Sequence, residues 1–132
     1  DGLGCGQGNN KTGMKLLVCG DRNWCDEKLI RKYILDLHPS VIIEGGARGA
    51  DRITEKVARQ LKISLKEFPA NWRQFGKAAG MIRNQQMLEE KPDLVLAFHD
   101  FIGKSQGTKD MIYRAEKAGI LVKLISHYSQ NE

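Results

Sequence analysis

Val41-Ile42-Ile43 and, one residue later, Gly45-Gly46-Ala47-Arg48-Gly49-Ala50-Asp51 form the stretch that decides how this chain folds. A short apolar run reads as a buried strand, and the pattern that follows the glycines is helical, so the order is strand, glycine turn, helix. Glycines at 45, 46 and 49 let the backbone turn tightly and approach a ligand with no Cβ in the way. The helix that begins there presents free N–H groups and partial positive charge at the same point. Arg48, inside the turn, adds a planar cation suited to phosphate. These features together fit a phosphate-bearing, nucleotide-like ligand.

Outward from this stretch, strand and helix patterns alternate. Lys15-Leu16-Leu17-Val18-Cys19 is a buried strand. Residues 26–38 place Leu29, Ile30, Tyr33, Ile34 and Leu37 on one helical face, and Pro39 closes that helix. Residues 50–61 repeat the pattern with Ile53, Val57 and Leu61. Ile63–Phe68 alternates apolar with polar residues, which suits a strand at a sheet edge. A third helix is predicted over 76–90, with Ala78, Met81, Ile82 and Leu88 inward. Leu94–Phe98 is a fourth strand. A fourth helix over 107–118 turns Met111, Ile112, Ala115 and Ala118 inward; Gly119 ends it, and Ile120–Ile125 is a fifth strand. Five strands separated by helices predict an α/β fold: a doubly wound, mainly parallel five-stranded sheet with helices on both faces.

In such a sheet a ligand binds beyond the carboxyl ends of the strands, near the reversal of strand order. The unusual residues of this chain fall at those places. Gly20-Asp21-Arg22-Asn23-Trp24 follows the first strand, the glycine turn follows the second, Pro69-Ala70-Asn71-Trp72-Arg73 follows the third, and His99-Asp100 follows the fourth and leads to Gly107-Thr108. Trp24 and Trp72 lie in loops, where an indole can stack on a base or cover the apolar core. Arg83 and Asn84, in the third helix pattern, suit contacts to phosphate and to ribose or base.

Composition narrows the classes. At 132 residues, with 41% hydrophobic and 28% charged residues, the chain reads as one ordinary globular domain over 14–126. A glycine-rich flexible leader or added remnant is expected over 1–13, and a polar tail over 127–132. No stretch approaches the roughly 20 apolar residues of a membrane span, and no basic-then-apolar signal opens the chain. Cys5, Cys19 and Cys25 have no zinc-like spacing and are expected as free thiols in a reducing cytoplasm. His38, His99 and His127 stand apart from any ligand spacing, so no metal and no cofactor is expected. Gly103-Lys104-Ser105 resembles the end of a P-loop, but Phe98 stands where its first glycine belongs. A Gly-x-Ser-x-Gly elbow is likewise absent from the sequence. The net charge of +5 is interleaved with acidic residues, the pattern of a mixed solvated surface rather than a nucleic-acid stripe.

Five ordered motifs, from 14 to 125, give the chain a family resemblance: Gly20-Asp21-Arg22-Asn23-Trp24, the Gly45–Asp51 turn, Ala70-Asn71-Trp72, the run Gly76–Asn84, and Gly107-Thr108-Lys109-Asp110-Met111. They resemble the Rossmann-like SLOG superfamily, and most closely its small stand-alone domains related to YspA and YpsA. The resemblance implies a nucleotide-derived ligand, such as a nucleoside phosphate, a cyclic nucleotide or an ADP-ribose-like molecule. It implies a sensor or sequestering role, as in bacterial and phage conflict. Two more distant branches supply alternatives. One is a phosphoribohydrolase that cleaves an N-glycosidic bond; there Arg83 matches the arginine and Gly107-Thr108 the Gly-Thr, but Met111 stands at the glutamate, leaving Asp110 as a shorter carboxylate one residue earlier. The other is a DNA-processing family that binds single strands, which calls for a basic aromatic stripe this sequence lacks.

The reading, then, is a cytoplasmic ligand-binding domain of a bacterial cell or phage-infected host. Its expected ligand contacts are Gly20, Asp21, Arg22, Trp24, Gly45, Gly46, Ala47, Arg48, Gly49, Asp51, Trp72, Arg83, Asn84, Gly107 and Thr108. If it turns its ligand over, Arg83 and Asp110 are the catalytic candidates. Exposed helix faces leave room for self-association.

Overall fold

Leu16, Leu17, Val18 and Cys19 are all buried, two toward each face of a sheet. Such a run belongs to a parallel strand covered by helices on both sides. The structure, a computed structural model, describes residues 13–128; the predicted leader except Gly13, and the tail beyond Tyr128, lie outside the described residues. The elements run β1 (Lys15–Gly20), α1 (Glu27–Leu37), β2 (Val41–Glu44), α2 (Ala50–Leu61), β3 (Ser64–Glu67), α3 (Trp72–Phe75), α4 (Ala79–Leu88), β4 (Leu94–Phe98), α5 (Gly107–Lys117) and β5 (Leu121–Ile125). The sheet order is β3-β2-β1-β4-β5 with every neighbouring pair parallel. The strand order reverses between β1 and β4, which pair from Leu16↔Leu94 to Gly20↔Phe98.

Alternation along the strands builds two cores. Leu16, Val18, Ile42, Leu96 and Phe98 pack with Ile30 and Ile34 of α1 and with Val57 and Ala58 of α2. Leu17, Cys19, Ile43, Val95 and Ala97 pack with Met87 and Leu88 of α4 and with Met111 and Ala115 of α5. Truncating one of these fully buried leucines to alanine costs about 2–5 kcal/mol. The α/β, doubly wound sheet expected from the sequence is the one observed. The alternating strand stands at the edge, as β3, and α1, α2 and β4 keep their expected faces.

Helix ends follow local chemistry. Asp26 caps α1 by accepting from the Leu29 N–H, and His38 closes it in a left-handed conformation ahead of Pro39. The segment after β3 departs from expectation. Residues 72–75 form the short helix α3, capped by the Asn71 side chain, and a 3₁₀ turn over Gly76–Ala78 precedes α4. That tighter turn shifts the helical phase, so Ala79, Asn84, Met87 and Leu88 face inward while Ala78 and Met81 are exposed. Ala118, also expected inward, caps the end of α5 and is exposed. Among the described residues no helix is long and apolar enough to cross a membrane.

Candidate functional site

Gly20 ends β1 where a side chain has no room: a Cβ there would lie 2.4 Å from the Phe98 carbonyl oxygen. The next N–H, of Asp21, donates to that oxygen at 2.9 Å. The Asp21 carbonyl in turn accepts from Ala50 at the start of α2, at 3.1 Å. Gly49 makes this approach feasible. Its φ is +76°, and a Cβ would sit 2.3–2.4 Å from the Asp21 and Arg22 backbone. The first loop and the glycine turn are thus locked together at the switch point of the sheet.

Above them lies a cleft of two adjoining lobes. One, of about 410 Å³, is bounded by Asp21, Arg22, Asn23, Asp51, Asn84 and the Lys104–Thr108 segment. The other, of about 500 Å³, is bounded by Gly45, Gly46, Pro69, Ala70 and Trp72. Arg22, Ala47, Arg48 and Arg83 border both lobes. Each lobe has the size of a small-molecule site. Arg22, Arg48 and Lys104 are exposed cations at its walls, and α5 begins at Gly107 on its floor.

Buried polar groups fix the cleft floor. Arg83 donates through Nη1 to the Gly45 carbonyl at 2.6 Å and through Nε to Asn84 Oδ1 at 3.2 Å. Asn84, itself buried, donates through Nδ2 to Gly107 O at 3.2 Å and to Asp110 Oδ2 at 3.0 Å. Asp51 is buried beside the turn and accepts from the Ala47 N–H at 3.1 Å. Burial pushes its carboxyl up to about 6, against the opposing pull of that hydrogen bond and of Arg83. Burial, with the Asp51 charge, also holds the Cys19 thiol far above its usual range, which favours the protonated thiol at this cleft-lining position.

The structure gathers most of the residues singled out in the sequence. Asp21, Arg22, Ala47, Arg48, Asp51, Arg83, Asn84, Gly107 and Thr108 border the first lobe with Gly20, and Gly45, Gly46 and Trp72 border the second. Gly49 lies beneath the wall as a packing residue. Trp24 is not on the rim. It is buried, its ring stacked on His127 at 4.7 Å and tilted against Phe98 at 5.5 Å, while Nε1 donates to the Asp26 carbonyl. Of the two readings open for that indole, covering the core is the one the packing fits. Trp72 is half-exposed beside the second lobe. His99 and Asp100 do not border the cleft themselves: His99 Nδ1 accepts from Phe101 N while its Nε2 lies 4.0 Å from Asp21 Oδ2 behind the first lobe, and Asp100 holds His127. Asp110 borders neither lobe. Its Oδ2 is taken up by Asn84 and by Arg114 Nε at 2.8 Å.

Lys104, Ser105 and Gln106 border the cleft although sequence reasoning left them out. The P-loop-like Gly103-Lys104-Ser105 was their signal. Phe98 breaks the P-loop pattern, but the turn that feeds the N-terminus of α5 still brings Lys104 and Ser105 to the cleft. Ser105 Oγ accepts from Thr108 N at 2.9 Å and so caps the first turn of α5.

Two comparisons with known proteins identify the family. Residues 14–75 match the model of the YspA, cpYpsA-related SLOG family. The chain is also similar to the Gene 61 protein of Mycobacterium phage D29, at 36% identity over 118 residues, covering 82% of this chain and 93% of that protein. The matched segment holds β1, the glycine turn and α2, the parts that build one wall of the cleft. The chain belongs to this SLOG family, and membership points to binding or processing of a nucleotide-related ligand.

Proposed function

From membership of the YspA, cpYpsA-related SLOG family, we propose that this chain binds a nucleotide-derived small molecule in the bilobed cleft and senses or sequesters it. One observation carries the reading: Arg22, Arg48 and Arg83 stand at the junction of two lobes that differ in character. The junction suits phosphate, because guanidinium forks bind phosphate oxygens in pairs. The lobe with Pro69 and Trp72 suits a base, which would stack on the half-exposed indole. The lobe with Asp21, Asn84 and the start of α5 suits ribose hydroxyls or a second phosphate. The phage D29 relative supports a phage context, in which capture of a nucleotide signal is a coherent role.

Processing of the ligand is the second reading, favoured by one observation. Asp51 is a buried carboxylate beside Arg83 in the first lobe, and its raised pKa suits proton transfer near neutral pH.

Native mass spectrometry of the purified protein tests the binding reading. A retained adduct with the mass of a nucleotide, lost in Arg83→Ala, supports it. A protein that carries no adduct and takes up none of the nucleotides added to it speaks against it.

A further inference from the structure

We propose that Glu44, Glu55 and Glu67 form a binding site for a hard divalent cation beside the glycine turn. The register pairs Glu44 at the end of β2 with Glu67 at the end of β3, and α2 lays Glu55 over the same face of the sheet. One oxygen from each of the three carboxylates lies within 4.8 Å of the others. Independently, Glu44 is fully buried, and only one of its oxygens is satisfied. Its Oε1 accepts from the Gly46 N–H at 2.6 Å; its Oε2 has no hydrogen-bond partner among the described residues.

Among the described residues no cation pairs with that oxygen. Arg52 reaches Glu55 at 2.7 Å and Glu67 at 3.9 Å, and Arg59 reaches Glu55 at 2.9 Å, but both guanidiniums are largely exposed and neither pairs with Glu44. Glu44 is fully buried and shares its surroundings with the carboxylates of Asp51, Glu55 and Glu67. A buried anion in that setting takes either a proton or a cation. An all-carboxylate donor set selects a hard ion of the magnesium, manganese and calcium type. Glu67 also lies against Gly46, where a Cβ would meet Glu67 Oε2 at 2.5 Å, and Gly46 borders the second lobe of the cleft. The cation would therefore brace the turn from beneath. The histidine and cysteine spacings that excluded a metal in the sequence carry no information about three carboxylates on separate elements.

The test uses Mn²⁺ alone, so its outcome is independent of any nucleotide. Mn²⁺ is titrated into the full chain at mildly alkaline pH and followed by electron paramagnetic resonance and calorimetry. The expected result is one bound Mn²⁺ per chain, a raised melting temperature, and affinity weakened at least about tenfold in Glu44→Gln and in Glu67→Gln. Glu67 is partly exposed at the sheet edge, so Glu67→Gln keeps the test decisive should Glu44→Gln fail to fold. Absence of binding at millimolar Mn²⁺ overturns the proposal and leaves Glu44 as a protonated buried acid. Undiminished binding in Glu67→Gln overturns it equally.

Discussion

Arg83 Nη1 donates to the carbonyl oxygen of Gly45 at 2.6 Å, so α4 is fastened to the glycine turn by a charge-assisted bond between segments 38 residues apart. A free rim arginine would affect only ligand. This one also holds the turn in place. Arg83→Ala is therefore expected to cost about 1–3 kcal/mol of stability in addition to weakening ligand binding. Arg83→Lys keeps the charge but loses the planar fork, and its effect on binding should fall between wild type and alanine. Urea denaturation gives the first quantity and calorimetry the second. Unchanged stability in Arg83→Ala would show that the bond to Gly45 contributes nothing.

Glu44 and Asp51 carry a pH dependence of known sign. Their folded-state values, about 8 and about 6, lie above the ordinary 4.5 and 3.8. Both groups favour the folded state in their protonated forms. Their contribution is fully present below the ordinary values and is lost as pH rises through about 6 and then about 8. Without added ligand or cation, Glu44→Gln should grow more stable relative to wild type as pH rises from about 4.5 to about 8, by on the order of a few kcal/mol at the upper end. Denaturant titrations across that range check it. A difference that stays constant with pH would contradict the assigned burial of the charge.

Two glycines at the cleft make opposite predictions. At Gly49 an added Cβ meets backbone at 2.3–2.4 Å and φ is +76°, so Gly49→Ala should destabilise by at least about 2 kcal/mol. At Gly107, the first residue of α5, a Cβ meets nothing within 4 Å, so Gly107→Ala should leave stability nearly unchanged. Thermal unfolding of the two variants side by side decides the matter; equal melting temperatures would refute the packing role given to Gly49.

Nucleoside monophosphates should be released intact. Met111 stands where the resemblance to the phosphoribohydrolase branch would put the glutamate, and it is fully buried in the core; Asp110 is held by Asn84 and Arg114 and borders neither lobe. Chromatography after prolonged incubation is expected to find no free base above the blank. Steady release abolished by Asp51→Asn would establish the processing reading, and release abolished by Asp110→Asn would reinstate Asp110.

The sheet was legible because its strands carry their burial in their composition. Leu16–Cys19 and Leu94–Phe98 are continuous apolar runs, and the alternation over Ile63–Phe68 marks an edge. The glycine turn was legible because its clustered glycines mark a tight turn, and Gly46 and Gly49 do take positive φ, +74° and +76°, a region that favours glycine. What failed to show was set by contacts distant in sequence. Asn84 is buried because Gly107 and Asp110 satisfy its amide, which no local pattern encodes. Trp24 and Trp72 both follow strands, and only packing separates the core indole from the exposed one. The Glu44–Glu67 juxtaposition exists only once β2 and β3 are in register.

The most direct test of the central claim is calorimetric titration of the full chain with nucleoside mono- and diphosphates, cyclic nucleotides and ADP-ribose. At least one of these is expected to bind with one-to-one stoichiometry. At about 100 times its dissociation constant that ligand should raise stability by about 2.7 kcal/mol, and its affinity should fall in Arg83→Ala. If no member of the panel binds the folded wild-type protein, the cleft is not a nucleotide site.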